Sequence, residues 1–288
     1  MNKTDEYESW ILEAKENFVE FIPNSSALLQ KITVIVCDET NIETEAKELC
    51  VNLNVDYFND EENRKLASGF AIHGKQVYGI IMNEWFNDID DLFYMTLWHE
   101  IAHCYSKEHD NVSCDLEEFL YSSSEKWTKE YSDLLYGYGF WKEFEAESIA
   151  YYLLQKTNRY DDFVDEDGSC FESMMHNCIE HIDTCNQDDN LLYHYFGFVF
   201  AEIRKRVGGV LSNSTVESKM FNSILRESDA DSLGEEVKDS LIDMFELLSS
   251  QMSKSHFWVT DKEFVAKLGD KRIKLMNAID NQKKFAVK

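Results

Sequence analysis

Proline occurs once in this 288-residue chain, at Pro23, and glycine eleven times. Proline interrupts a helix because it lacks the backbone donor, and glycine because it is conformationally free. A chain with so few of either is expected to be mostly helix. Three short runs rich in β-branched and aromatic residues stand apart: Ile32–Cys37, 66–73 and 76–83. The last two flank His73-Gly74-Lys75 and read as a β-hairpin. Helices are expected over 5–22 and 40–54, over 115–135 as an insert, and from Phe140 onward after a break at Tyr136-Gly137-Tyr138-Gly139. Beyond Asp161 they are expected over 170–184, 188–206, 215–228, 235–251 and 261–281. Leu241, Met244, Phe245 and Leu248 share one helix face, the pattern of core packing. The expectation is a helix-rich α+β fold, with residues 1–160 as a core holding the hairpin and 161–288 as a helical C-terminal region. No internal repeat or low-complexity linker is visible.

The residues that carry chemistry follow the hairpin. His99-Glu100-Ile101-Ala102-His103 is an H-E-x-x-H run, flanked by the uncharged Thr96, Leu97, Trp98, Cys104 and Tyr105, as expected of a buried helix. Asn87, Asp88 and Asp90 offer N-caps just before it. With about 3.6 residues per turn, residues four apart lie one above the other, so both imidazoles can point at one metal ion. Glu100, beside the first imidazole, is placed to take a proton from a zinc-activated water. A tetrahedral catalytic zinc needs a third protein ligand and keeps one position for water.

Two residues compete for that third place. Glu143 lies in Phe140-Trp141-Lys142-Glu143-Phe144-Glu145-Ala146-Glu147-Ser148-Ile149-Ala150, a run with no glycine or proline. On a helix Glu143, Ala146, Glu147 and Ala150 share a face. The two alanines would permit close approach, and Glu147 could hold the outer nitrogen of a ligand histidine. His109 is the other candidate, six residues after His103; a histidine near a helix C-terminus also has a plain dipole contact available.

The pair of motifs resembles that of the gluzincin metallopeptidases, H-E-x-x-H followed on a later helix by E-x-x-x-D or a close variant. Here Glu143-Phe144-Glu145-Ala146-Glu147 supplies the second part, with Glu in place of the usual Asp, and the interval 104–142 is longer than in small members. The resemblance covers roughly 66–156. It implies a small zincin-like core with the hairpin packed on the H-E-x-x-H helix. It also implies His99, His103 and Glu143 as zinc ligands, Glu100 as general base, Glu147 as orienter, and a peptide or protein as substrate. A strand beside the metal, placed here at Gly79–Asn83, would pair with an extended peptide in such folds. A regulatory peptidase similar to the ImmA/IrrE group is the narrower expectation. The metzincin pattern, H-E-x-x-H-x-x-G-x-x-H, is matched at His109 but has Ser106 where its glycine ends the helix, with Met174 or Met175 as its downstream methionine.

Other polar residues invite weaker assignments. Tyr136, Tyr138, His176, His181 and His194 are available as donors to a developing oxyanion. His176, Cys178, His181 and Cys185 do not match a familiar zinc spacing. Asp165-Glu166-Asp167-Gly168 looks like part of a calcium loop, but Phe163 and Met174 stand where carboxylates are required.

Composition narrows the setting. A net charge of −27 argues against nucleic acid, whose phosphates call for clustered cations. The charge suits basic partners or a well-solvated surface. Seven cysteines without a repeating frame fit reduced thiols and a cytoplasmic protein. Neither a leader sequence nor an 18-residue apolar run is evident, so no membrane association is expected. Oligomeric state is left open. A zinc-binding or partner-binding protein without catalysis is the alternative from another class, and hydrolysis of a small amide is a further one.

Overall fold

The computed structural model describes residues 3–57, 64–65, 67–84, 90–122, 128–160, 190–206, 214–227, 234–252 and 261–286. It is helix-rich, with one small three-stranded mixed sheet, an α+β arrangement. Contacts group the chain into two compact units, Met1–His109 with Ile149–Asp167, and Asp110–Ser148 with Gly168–Lys288. One long helix runs from the second group into the first.

In the first unit the sheet has the order β1 (Ile32–Cys37), β3 (Tyr78–Asn83), β2 (Gly69–His73). β2 and β3 form the antiparallel hairpin around Gly74, and β1 pairs parallel to β3, Ile32 beside Tyr78 through Cys37 beside Asn83. A parallel pair needs a crossover, which α3 (Ile42–Leu53) provides. Ile42, Ala46, Leu49 and Leu53 of α3 pack with Cys37 and Ile81 on one sheet face. Gly79 lets α3 sit close there: a Cβ would lie 2.3 Å from Leu49 Cδ2 and would displace that side chain. The helix that carries the histidines, α4 (Asp90–His109), packs on β2 and β3. All six β3 residues are buried, as a strand covered on both faces must be. The expected substrate-pairing role of Gly79–Asn83 is therefore corrected: β3 is the central strand, and both its edges are already used by β1 and β2.

α1 (Lys3–Phe21) and the short α2 (Ser26–Leu29) hold the back of α4. Trp98 Nε1 donates to the Ala14 carbonyl at 3.0 Å, Tyr94 donates to Glu13 at 2.7 Å, and Tyr105 donates to the Pro23 carbonyl at 3.0 Å. These three anchors lie on one side of α4, about 150° around the helix from His99 and His103. The histidine pair is thereby turned away from α1. Two ion-pair nodes fix the ends of α4. Arg159 reaches Asp90, Asp91 and Glu13 at 2.9–3.1 Å and stacks over Tyr94. At the other end Glu108 accepts from Lys31 and, at 2.7 Å, from Tyr78.

The second unit holds α5 (Asn111–Ser122), most of α6 (Lys129–Lys156), α7 (Asn190–Arg206), α8 (Ser214–Glu227), α9 (Glu235–Met252) and α10 (Lys262–Ala286). The helix expected over 115–135 is divided between α5 and α6. The expected break at 136–139 is absent, since α6 is continuous through both glycines. Gly137 is there for contact: a Cβ would lie 1.9 Å from the Val265 carbonyl oxygen of α10. Reciprocally, a Cβ on Gly269 would lie 1.8 Å from the Asp133 carbonyl oxygen of α6. Two glycines thus let two helix backbones touch. The core beyond is a chain of rings, Phe144 to Phe200, Phe200 to Phe245, Phe245 stacked on Phe221 at 4.2 Å, with Trp141 edge-on to Phe264. The expected apolar face Leu241, Met244, Phe245 and Leu248 is fully buried in it. The segment 170–184 lies outside the described residues.

Candidate metal centre

His99 and His103 sit one turn apart on α4, both half-buried, with rings edge-to-face and Nε2 atoms 3.0 Å apart. Two nitrogens bound to one zinc at about 2.0–2.1 Å in a tetrahedron lie ~3.3 Å from each other. The pair is close to that spacing before any ion is considered. Glu143 completes the group: one atom each from His99, His103 and Glu143 lie within 4.8 Å of one another. Two imidazole nitrogens and one carboxylate oxygen are a donor set for a borderline metal ion with an open fourth position. Among the described residues, this His/Glu group can hold a metal ion.

Arg159, just beyond the C-terminus of α6, is pinned to Asp90 and Asp91 at the start of α4. The aromatic residues Phe140, Trp141 and Phe144 take the core-facing side of the helix and leave Glu143 off that side, one quarter exposed. Lys142 Nζ lies 3.5 Å from Glu143 Oε1, a rim contact that a metal ion can displace. Ala146, Glu147 and Ala150, the expected companions of Glu143, are all buried. Gly197 of α7 makes room for Glu147, since a Cβ there would lie 2.8 Å from the Glu147 Cβ.

His109 is not part of the group. α4 continues through Ser106 to His109 without a turn, so His109 lies about 9 Å further along the axis than His103 and ~240° around it. Its Nδ1–H donates to the Tyr105 carbonyl at 3.0 Å and its ring stacks on Tyr105. The metzincin pattern fails for the physical reason that no glycine ends the helix. Asp90 begins α4, whereas Asn87 and Asp88 lie outside the described residues.

Glu100 is buried next to His99 on the same turn. Cys104 is buried too, and burial, and secondly the Glu100 charge, push its thiol well above the ordinary value. Cys37 is pushed up to about 11, again chiefly by burial. Met174, Met175, His176, Cys178, His181, Cys185 and the acidic stretch 165–168 lie outside the described residues, as does the side chain of His194.

One feature escaped the sequence. A cavity of about 250 Å³ is lined by Tyr136, Gly139, Phe140, Glu143, Tyr193 and Arg272. Arg272 is buried, with its guanidinium 4.6 Å from the Tyr136 ring centre. The available signal was an arginine inside the apolar stripe Val265, Leu268, Leu275 and Ile279, all fully buried; within Lys271-Arg272-Ile273-Lys274 it reads instead as surface charge. Among the described residues, no helix is long and apolar enough to cross a membrane. No family model, no curated protein and no solved structure matches the chain.

Proposed function

We propose that the chain is a zinc-dependent peptidase, with His99, His103 and Glu143 as metal ligands and Glu100 as general base. The convergence of the three ligand side chains from two separate helices is the observation that carries this reading. Zinc in such a set supplies Lewis-acid polarisation of a peptide carbonyl and lowers the pKa of a water molecule. Glu100 takes the proton of the attacking water and returns it to the leaving amine. Glu147, buried one turn after Glu143, acts as a positioning residue for the ligand face of α6. An extended peptide that pairs with the sheet would use β2, the strand at the margin next to β3, whose Gly69 comes against Thr96 of the histidine helix. Free, buried Cys37, Cys50 and Cys104 are consistent with a reducing compartment such as the cytoplasm. The substrate is a peptide or protein, and a regulatory peptidase similar to the ImmA/IrrE group is the narrower form of the proposal.

Glu100→Gln separates chemistry from metal binding. The variant is expected to bind zinc as the parent does while losing peptide hydrolysis by about 100-fold to 10,000-fold, the usual worth of a general base. Undiminished turnover would remove Glu100 from the mechanism.

A further inference from the structure

β1 stands at one margin of the sheet, and its outer side has a defined chemistry. Tyr78 N–H donates to the Lys31 carbonyl at 2.9 Å, which fixes the pleat. Lys31, Thr33, Ile35 and Cys37 turn their backbone groups toward β3, while Ile32, Val34 and Val36 turn theirs away. The outward carbonyl of Ile32 accepts from Lys15 Nζ of α1 at 2.9 Å. Among the described residues, nothing bonds to the outward groups of Val34 and Val36. Thr33 is exposed and Val34, Ile35 and Val36 are half-buried, so solvent reaches this edge. Native edges are normally guarded by charges, proline or a bulge. In a chain with 29 % charged residues, Ile32–Cys37 holds no charge and no proline, and its pairing with β3 is unbulged. On the face of α1 that carries Lys15, Leu12 and Val19 are 60 % and 43 % exposed.

We infer that this edge is the contact between two copies of the chain, joined β1 to β1 about a two-fold axis into one continuous six-stranded sheet. The inference stands apart from the peptidase reading. Antiparallel pairing sets outward residues opposite outward residues. The register that leaves the Ile32 carbonyl to Lys15 places Val34 of each copy opposite Val36 of the other. Each such pair exchanges two hydrogen bonds, so four form in all, and Ile35 meets its own counterpart on the axis. A two-fold contact needs a surface that complements itself. This one does so in charge as well, because the edge is basic at its start and acidic at its end. Ile32, with the Lys15 ammonium at its carbonyl, comes opposite the exposed Asp38 of the second copy, and the symmetry repeats the pairing. A net charge of −27 opposes association, so a reversible dimer of micromolar strength is expected rather than a permanent one.

Sedimentation equilibrium of the full chain from about 1 μM to about 300 μM reads the assembly directly. The expected result is a reversible rise to twice the chain mass. Val34→Pro removes one outward donor from each copy, at a position where an edge strand accepts proline. With two of four hydrogen bonds gone, the dimer is expected to weaken by about ten-fold or more while the circular dichroism spectrum stays that of the parent. Thr33→Lys, at an exposed site, puts a charge on the seam without altering the backbone and gives the same answer if proline disturbs the strand. Ile35→Cys reports the register. Its two copies face each other across the axis within reach of a disulfide, so a mild oxidant is expected to yield covalent dimer. The yield should be several-fold above that of the parent and of Val51→Cys, a position on α3 that is 77 % exposed and outside the contact. A chain that stays monomeric at the highest concentration overturns the inference and leaves the edge to a different strand. So does a dimer indifferent to both Val34→Pro and Thr33→Lys, or Ile35→Cys cross-linking no greater than that of Val51→Cys.

Discussion

Glu143 and Glu108 show how single carboxylates on this scaffold take different work from their surroundings. Glu143 is kept off the aromatic core and reaches the histidine pair. Glu108 is tied to Lys31 at the start of β1 and to Tyr78 at the start of β3, and so holds the last turn of the histidine helix to the sheet. Hydrogen bonds from Lys31 first, then from Tyr78, hold the Glu108 carboxyl below its ordinary value of 4.5. A depressed carboxyl contributes stability that is complete above the unfolded value and is lost as pH falls through the lower folded one. Glu108→Gln is therefore expected to cost about 1 kcal/mol at neutral pH and to flatten part of the fall in stability below pH 4.5. Denaturant titrations of parent and variant at several acidic pH values check this; parallel pH profiles would contradict it. At this scale much was legible in the sequence. His99 and His103 announce themselves by spacing, and Glu143 by its place in an uninterrupted helical run. Arg272 did not, because its burial depends on a helix packing that local sequence does not encode.

At the scale of elements, the glycines of α6 carry the main lesson. Tyr136-Gly137-Tyr138-Gly139 reads as a break because glycine serves both turns and close approaches, and only the partner helix decides between them. That partner, with Val265 and Gly269, is more than a hundred residues away. The three positions should respond differently to alanine. Gly137→Ala and Gly269→Ala place a methyl into opposing backbone and are expected to cost about 2 kcal/mol or more, although alanine is the better helix former. Gly139→Ala meets open space and is expected to gain up to about 1 kcal/mol. Thermal melts of the three variants decide it, and three equal shifts would contradict the packing described. Strand order was equally beyond the sequence: the apolar run of β3 marks a buried strand, but nothing local reveals that β1 pairs with it in parallel. Arg159→Met tests the node at the start of α4. It leaves Asp91 buried without its guanidinium and is expected to destabilise the chain by about 2 kcal/mol.

For the molecule as a whole, the scarcity of proline and glycine did forecast a helix-rich α+β fold, and the net charge of −27 sets its response to solution conditions. Self-repulsion of so many carboxylates weakens the compact state at low ionic strength. Raising salt from about 10 mM to about 150 mM shortens the screening length from ~30 Å to ~8 Å and is expected to raise the melting temperature by a few degrees. A melting temperature that falls with salt would show that ion pairs such as those of Arg159 outweigh the repulsion. The central claim, that His99 and His103 share one ion with Glu143 rather than His109, is tested most directly by zinc affinity and stoichiometry. The parent, Glu143→Ala and His109→Ala are to be compared after dialysis and by competition with a chelator. The account predicts about one zinc per parent chain, a loss of ~10-fold or more in affinity for Glu143→Ala, and parent-like binding for His109→Ala. Loss of zinc in the His109 variant alone, or a parent that takes up no zinc, would contradict it.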